Sequence, residues 1–223
     1  MHSRNWKRAG SLALIALGVS ALSVATAQAQ VSGLYNTGVD LTGVSDNAWS
    51  IIGGTGTGVG ATPYNAYANS AGTGYPGGPW VPNSAISQWD TPTNPFTGSL
   101  DPSVNGTYIY ETKFTVTGAV PSALNFQFAA DNEVSSITLN GNTIYTGPID
   151  GSSQYGFWTP VTASGLIDGL NTLDFTVVNY AQSGNGNPSG LNVEFAPGPV
   201  PGAGLAGLAA LALAGLYART RRA

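Results

Sequence analysis

Tyr108-Ile109-Tyr110-Glu111-Thr112-Lys113-Phe114-Thr115-Val116 is the stretch that decides the fold. Tyr108, Tyr110, Thr112, Phe114 and Val116 fall on one side of an extended chain, and Ile109, Glu111, Lys113 and Thr115 on the other. A two-residue period is the mark of a half-buried strand, because successive side chains point to opposite faces. Leu124, Phe126, Phe128 and Ala130 repeat it downstream. Ile137 and Leu139 run into Asn140-Gly141, which tolerates the positive φ of a tight hairpin turn, and Ile144 lies on the return. Leu173, Phe175 and Val177 make a further strand; Leu191, Val193 and Phe195 make the last. No helical periodicity of comparable strength appears between Gln30 and Pro197. The pattern predicts an all-β sandwich over residues 30–196.

Composition agrees. Only 8% of the residues are charged and Cys is absent, so the domain gains nothing from disulfides and must be stable on its core. Charge is also sorted along the chain. Arg4, Lys7 and Arg8 lie near one end, and Arg219, Arg221 and Arg222 near the other. Between them eleven acids face a single Lys113, a net charge of −10. Nucleic-acid binding is excluded, because it needs a basic footprint. Acidic polysaccharide and anionic lipid are disfavoured on the same grounds unless divalent cations bridge them.

The ends read as membrane signals. Arg4 to Arg8 precede an apolar run from Leu12 to about Ala25, and Ala27-Gln28-Ala29 then supplies a small-x-small cleavage site. Residues 1–29 are therefore expected to be a signal peptide that leaves Gln30 as the new N-terminus. Residues 197–223 begin with a Pro-rich hinge and continue through an apolar run over 202–218 to the terminal arginines. As a helix that run reaches about 26 Å against a hydrocarbon core of ~30 Å, so one short transmembrane helix is expected. Eleven of its 17 residues are Gly or Ala, which makes the anchor weak. The Arg cluster would stay in the cytoplasm and leave the middle outside.

Hinge, short apolar helix and Arg cluster together resemble the PEP-CTERM sorting signal of Gram-negative bacteria. Val200, Pro201 and Gly202 follow Pro199 where that family carries Pro-Glu-Pro, so the glutamate is missing. The resemblance implies handling of the tail by an exosortase-type enzyme in the membrane. A second resemblance covers about 160 residues of the middle. It rests on Phe126 to Val134, Ile137 to Gly141, Leu166 to Phe175 and Gly190 to Glu194. With the lead-in stretches Tyr35 to Asp40 and Trp80 to Trp89, these look like a galactose-binding-like jelly roll, similar to the sugar-binding domains of family 2 glycosidases. The resemblance implies a jelly-roll β-sandwich and leaves the ligand open, because such a fold serves sugars, lipids, proteins or structure alone.

Candidate sites follow from residue chemistry. The only His is His2, in the expected signal, and there is no Cys. Ser-His-Asp, Cys-His and His-zinc chemistry are thus removed together. A carboxylate pair remains, and glycoside hydrolysis needs only two. The three Glu of the middle are Glu111, which reads as an ion pair with Lys113 on a solvated face, Glu133 and Glu194. Between 53 and 79 nine of 27 residues are Gly, which predicts a long surface loop. Trp80, Trp89, Tyr64, Tyr67 and Tyr75 lie in or beside it. They are the expected aromatic platform for a neutral glycan, since sugar C–H faces stack on exposed rings. Trp49 and Trp158 read as core or edge residues. Asp131, Asn132 and Glu133 offer clustered oxygens for Ca2+, with Asp40 and Asp46 a second grouping. The expectation is a secreted or cell-surface matrix protein, non-enzymatic, with weak carbohydrate binding. A purely structural matrix role is the close alternative and a small glycoside hydrolase the distant one.

Overall fold

In the computed structural model the alternation becomes a two-layer sandwich. The structure describes residues 30–69, 78–94, 99–184 and 186–196. All twelve elements among them are strands, and all pair antiparallel.

The strands are β1 (Gln30–Ser32), β2 (Leu41–Thr42), β3 (Ser45–Gly54), β4 (Tyr64–Asn69), β5 (Trp89–Thr91) and β6 (Gly106–Thr117). They continue as β7 (Leu124–Asp131), β8 (Glu133–Leu139), β9 (Asn142–Thr146), β10 (Gln154–Ala163), β11 (Gly169–Asn179) and β12 (Gly190–Phe195). The hydrogen-bonded order is β10-β7-β12-β5-β4-β3-β6-β11-β8-β9, with β1 on β6 and β2 on β3. Four strands, β10-β7-β12-β5, make one layer and β3-β6-β11-β8-β9 the other. Strand β4 joins them. Expected as part of a loop over 53–79, it is a correction to the sequence reading. Its buried apolar positions, Ala66 and Ala68, carry too little bulk to stand out among the glycines.

The predicted faces hold. On β6, Tyr108, Tyr110, Thr112, Phe114 and Val116 are buried, and Lys113 is exposed beside Glu111, whose carboxylate its ammonium meets at 2.7 Å. Eleven consecutive pairs lock β6 to β11, with Phe175 opposite Tyr110. Across the sandwich, Phe126 and Phe128 of β7 meet Phe175 of β11, while Phe195 of β12 stacks near Trp49 of β3. These rings fill the space between the layers.

Turn chemistry also follows the sequence. Asn140 and Gly141 take φ of 53° and 76°, the left-handed pair a two-residue hairpin needs. Asn171 is fully buried at the start of β11. Its Oδ1 accepts from the Ile167 N–H (2.9 Å) and from Asn140 Nδ2 (2.9 Å), while its Nδ2 donates to the carbonyls of Ile167 (2.8 Å) and Gly169 (3.0 Å). Asn171→Ala is expected to cost about 2–4 kcal/mol, because it strands several buried polar groups at once. A urea titration showing less than about 0.5 kcal/mol would overturn that role.

The lead-in Tyr35 to Asp40 lies along β12, where β5 pairs only at Leu191. Thr37 N–H donates to the Val193 carbonyl (3.2 Å), Val193 N–H to Thr37 Oγ1 (3.0 Å) and Phe195 N–H to Asn36 Oδ1 (2.8 Å). Side chains thus complete a ladder that would otherwise leave buried backbone groups unpaired. Among the described residues no helix is long and apolar enough to cross a membrane. The expected signal peptide with Ala27 and Ala29, and the tail with Val200, Pro201, Gly202, Arg219, Arg221 and Arg222, lie outside the described residues; Gln30 begins β1.

Candidate functional site

The outer face of the β10-β7-β12-β5 layer is not bare. Residues 80–89 lie across it as a strap. Beneath them is a second apolar cluster of Trp80, Val81, Trp89 and Ala129, with Tyr155 and Trp158 packed against it. Small residues make room. Ala129 points outward from β7, and a Cβ at Gly190 of β12 would meet Trp89 Cε3 at 3.2 Å and Trp80 Cη2 at 3.4 Å. Glu194 pins the strap. Its Oε1 accepts from Ser84 Oγ (2.6 Å) and Ser87 Oγ (2.8 Å), and its Oε2 from Gln127 Nε2 (2.9 Å). Burial pushes this carboxyl up, but those three bonds outweigh it and hold it below its ordinary value. Glu194→Ala is expected to loosen the strap, costing about 2 kcal/mol and raising amide exchange across residues 80–89. Unchanged exchange there would sink the pinning role.

The expected aromatic platform is therefore split, and half of it is covered. Trp89 has no exposed surface, and its indole donates to the Val81 carbonyl at 2.8 Å. No sugar can stack on it. Trp80 lies 4.2 Å from Trp89 between ring centroids and keeps 7% of its surface. Tyr64 and Tyr67, 6.4 Å apart, line a separate hollow of about 270 Å³ with Pro92, Thr93 and Asn94. Tyr75 lies outside the described residues.

A cleft of about 500 Å³ opens where Trp80 meets the end of β7. Its aromatic wall is Trp80 stacked on Tyr155 of β10, 6.4 Å apart with planes 19° from parallel. Polar side chains reach it from separate segments: Asp131 from β7, Asn132 after it, Ser153 before β10, and Gln182 and Asn187 before β12. The Asp131 carboxyl accepts a hydrogen bond from the Trp80 indole. Burial pushes it up to about 8 regardless, since one neutral donor does not replace the lost water. Sequence reasoning missed Tyr155 and Asn187 altogether.

The residues of the calcium expectation have separate partners. Asp131, Asn132 and Glu133 do not converge on one point. Asn132 Oδ1 accepts the Tyr180 N–H (2.8 Å) and its Nδ2 donates to Ser153 Oγ (3.2 Å), while Glu133 Oε2 accepts from the Tyr180 hydroxyl. Asp131 turns instead to Trp80. Among the described residues no group of three or more acidic or imidazole side chains could hold a metal ion.

The other carboxylates are tied into structure. Asp101 receives Thr57 N–H (2.7 Å), the Tyr108 hydroxyl (2.8 Å) and Asn179 Nδ2 (2.8 Å). Asp46 receives Gly38 N–H (2.6 Å) and Ala48 N–H (2.8 Å), and lies against Asp90. Burial, together with the charge on Asp46, holds Asp90 well above the usual carboxylate range, so Asp90 is the protonated partner. Both are fully buried, out of reach of a substrate. The three Glu have separate partners: Glu111 with Lys113, Glu133 with Tyr180, and Glu194 with the strap.

Among solved structures the chain is similar to a family 35 carbohydrate-binding module from an environmental isolate, with 11% identity and a TM-score of 0.31. That match covers 69% of this chain and 90% of the module. It is similar to a family 35 module from Clostridium thermocellum at 20% identity and TM-score 0.24, covering 49% of this chain and 88% of that one. An exo-β-1,3-galactanase from Phanerochaete chrysosporium, solved with β-1,3-galactotriose, matches at 13% identity and TM-score 0.29 over 72% of this chain and 29% of the enzyme. No protein-family model and no curated protein sequence matches the chain.

Proposed function

We propose that the chain is an exported, non-enzymatic glycan-binding protein whose site is the cleft beside Trp80 and Tyr155. One observation carries this reading: an aromatic pair and polar side chains from several segments meet in a single cleft of about 500 Å³. Glycans present both faces that such a cleft suits, C–H patches for rings and hydroxyls for Asn, Gln and Ser. The net charge of −10 between Arg8 and Arg219 turns away acidic polysaccharides, so the ligand carries no negative charge.

The fold in this proposal is a galactose-binding-like jelly roll over residues 30–196. Residues 1–29 direct export, and 202–218 hold the chain in the membrane of a Gram-negative bacterium. An exosortase-type enzyme handles the tail before the domain reaches the cell surface or matrix. Catalysis is left out because the described Glu side chains are engaged separately and the buried Asp46–Asp90 pair is sealed.

The test is a glycan array probed with the full chain and with Tyr155→Ala. Binding to uncharged or cationic glycans is expected, with a loss of about tenfold in the variant, the worth of one ring contact. If no glycan binds, the structural matrix role replaces this one. A reporter fused after Phe195 and found in the cytosol would remove export.

A further inference from the structure

Among the described residues Asp131 is the only carboxyl lining the cleft, and it keeps just 3% of its surface exposed. A carboxylate so placed is ordinarily matched by a Lys or Arg, because an unpaired buried charge is costly. Among the described residues none lies in the cleft. Lys113 is the only basic residue between Arg8 and Arg219, and it is tied to Glu111 at 2.7 Å beside a different hollow. The Trp80 indole is a neutral donor, so burial pushes the carboxyl up to about 8 in the empty cleft, and a cation arriving beside it would drive that proton into solvent and leave a carboxylate. The aromatic wall beside it is equally suited to positive charge, since the faces of Trp and Tyr rings attract cations.

We infer that the glycan taken by this cleft bears a free primary amine, whose ammonium pairs with Asp131 beside the Trp80 and Tyr155 rings. The inference rests on the glycan-binding reading above and narrows it from uncharged sugars in general to de-N-acetylated hexosamines. A charge-assisted bond made in a partly dry cleft is stronger than the neutral bond an N-acetyl group could form there. The acid excess of the whole domain acts in the same direction at longer range and draws cationic chains in.

Calorimetric titration of the full chain at neutral pH with a glucosamine tetrasaccharide and with its fully N-acetylated counterpart tests this. The amine-bearing chain is expected to bind at least about tenfold more tightly. Asp131→Asn is expected to erase that preference, so that the two chains bind alike. Added salt should narrow the preference in the unsubstituted protein, which gives a second reading if the variant folds poorly. Equal binding of the two chains, a preference that survives in Asp131→Asn, or one indifferent to salt overturns the amine. If neither chain nor any neutral glycan binds, the glycan reading itself falls.

Discussion

Phe175→Ala is expected to destabilise the domain by about 3–5 kcal/mol and to lower its melting temperature by roughly 10 °C or more. Phe175 has no exposed surface and sits where the layers meet. Its ring centroid lies 5.6 Å from Trp49, 5.7 Å from Phe126 and 6.1 Å from Phe128. Truncation removes the ring's transfer free energy and leaves a cavity. The cavity cannot close readily, because its walls are rings on strands held by long ladders: β11 is paired along its length to β6 and over six positions to β8. Phe175→Leu should lose less than half as much. Urea unfolding followed by Trp fluorescence measures both. A loss below about 1.5 kcal/mol for the alanine variant would mean that the two layers are not interdigitated as described.

Stability should fall as pH rises from about 4 to about 8, the reverse of ordinary acid denaturation. Asp131 and Asp90 both hold their protons above the usual carboxylate range, and burial is the main cause in each. Once the unfolded chain has released these protons the native state still binds them, so raising the pH draws the equilibrium toward the unfolded state. The stabilisation is fully present below the unfolded value near 4 and is lost as pH climbs to the folded value, about 8 for Asp131. Each group contributes up to about 1.4 kcal/mol per pH unit across its window, and a few kcal/mol overall is the expected scale. Glu194 works in the opposite sense, but its window lies below about pH 4.3, where the unfolded Glu titrates. The melting temperature near pH 5 should therefore exceed that near pH 8 by roughly 10 °C. Asp131→Asn should flatten the slope. A melting temperature that rises over this range would contradict the burial of these carboxyls.

What was legible in the sequence followed from bulk and alternation. Strands β6, β7, β8, β11 and β12 carry Tyr, Phe, Leu, Ile or Val on their buried faces, and each was read correctly. The Asn140-Gly141 turn was equally plain. Strand β4 was hidden because Ala66 and Ala68 are too small to mark a face. Strand β5 was hidden because Asp90 occupies an inward position opposite Leu191. Tyr155 was lost to an irregularity in β10, whose pairing with β7 shifts between Gln154 and Thr159 and so breaks the two-residue period. The tryptophans misled for another reason. Trp80 and Trp89 sit beside a Gly-rich stretch, and nothing local says that they fold back onto a sheet. The available signal lay elsewhere, in Ala129 and Gly190. Both are small residues at sheet positions where a solvent-facing side chain would ordinarily be larger and polar, which marks a face that something covers.

The open path of strands has one more result, for life in a crowded setting. The two strands that end this path are places where a neighbouring molecule could add itself by backbone bonding. On one flank, β10 carries Pro160, which has no N–H to offer, opposite Gln127. On the other, β9 is only five residues long and made largely of Asn and Thr. Such borders are poor templates for runaway stacking. Many copies could be packed side by side without fusing into fibrils, each still presenting its own cleft.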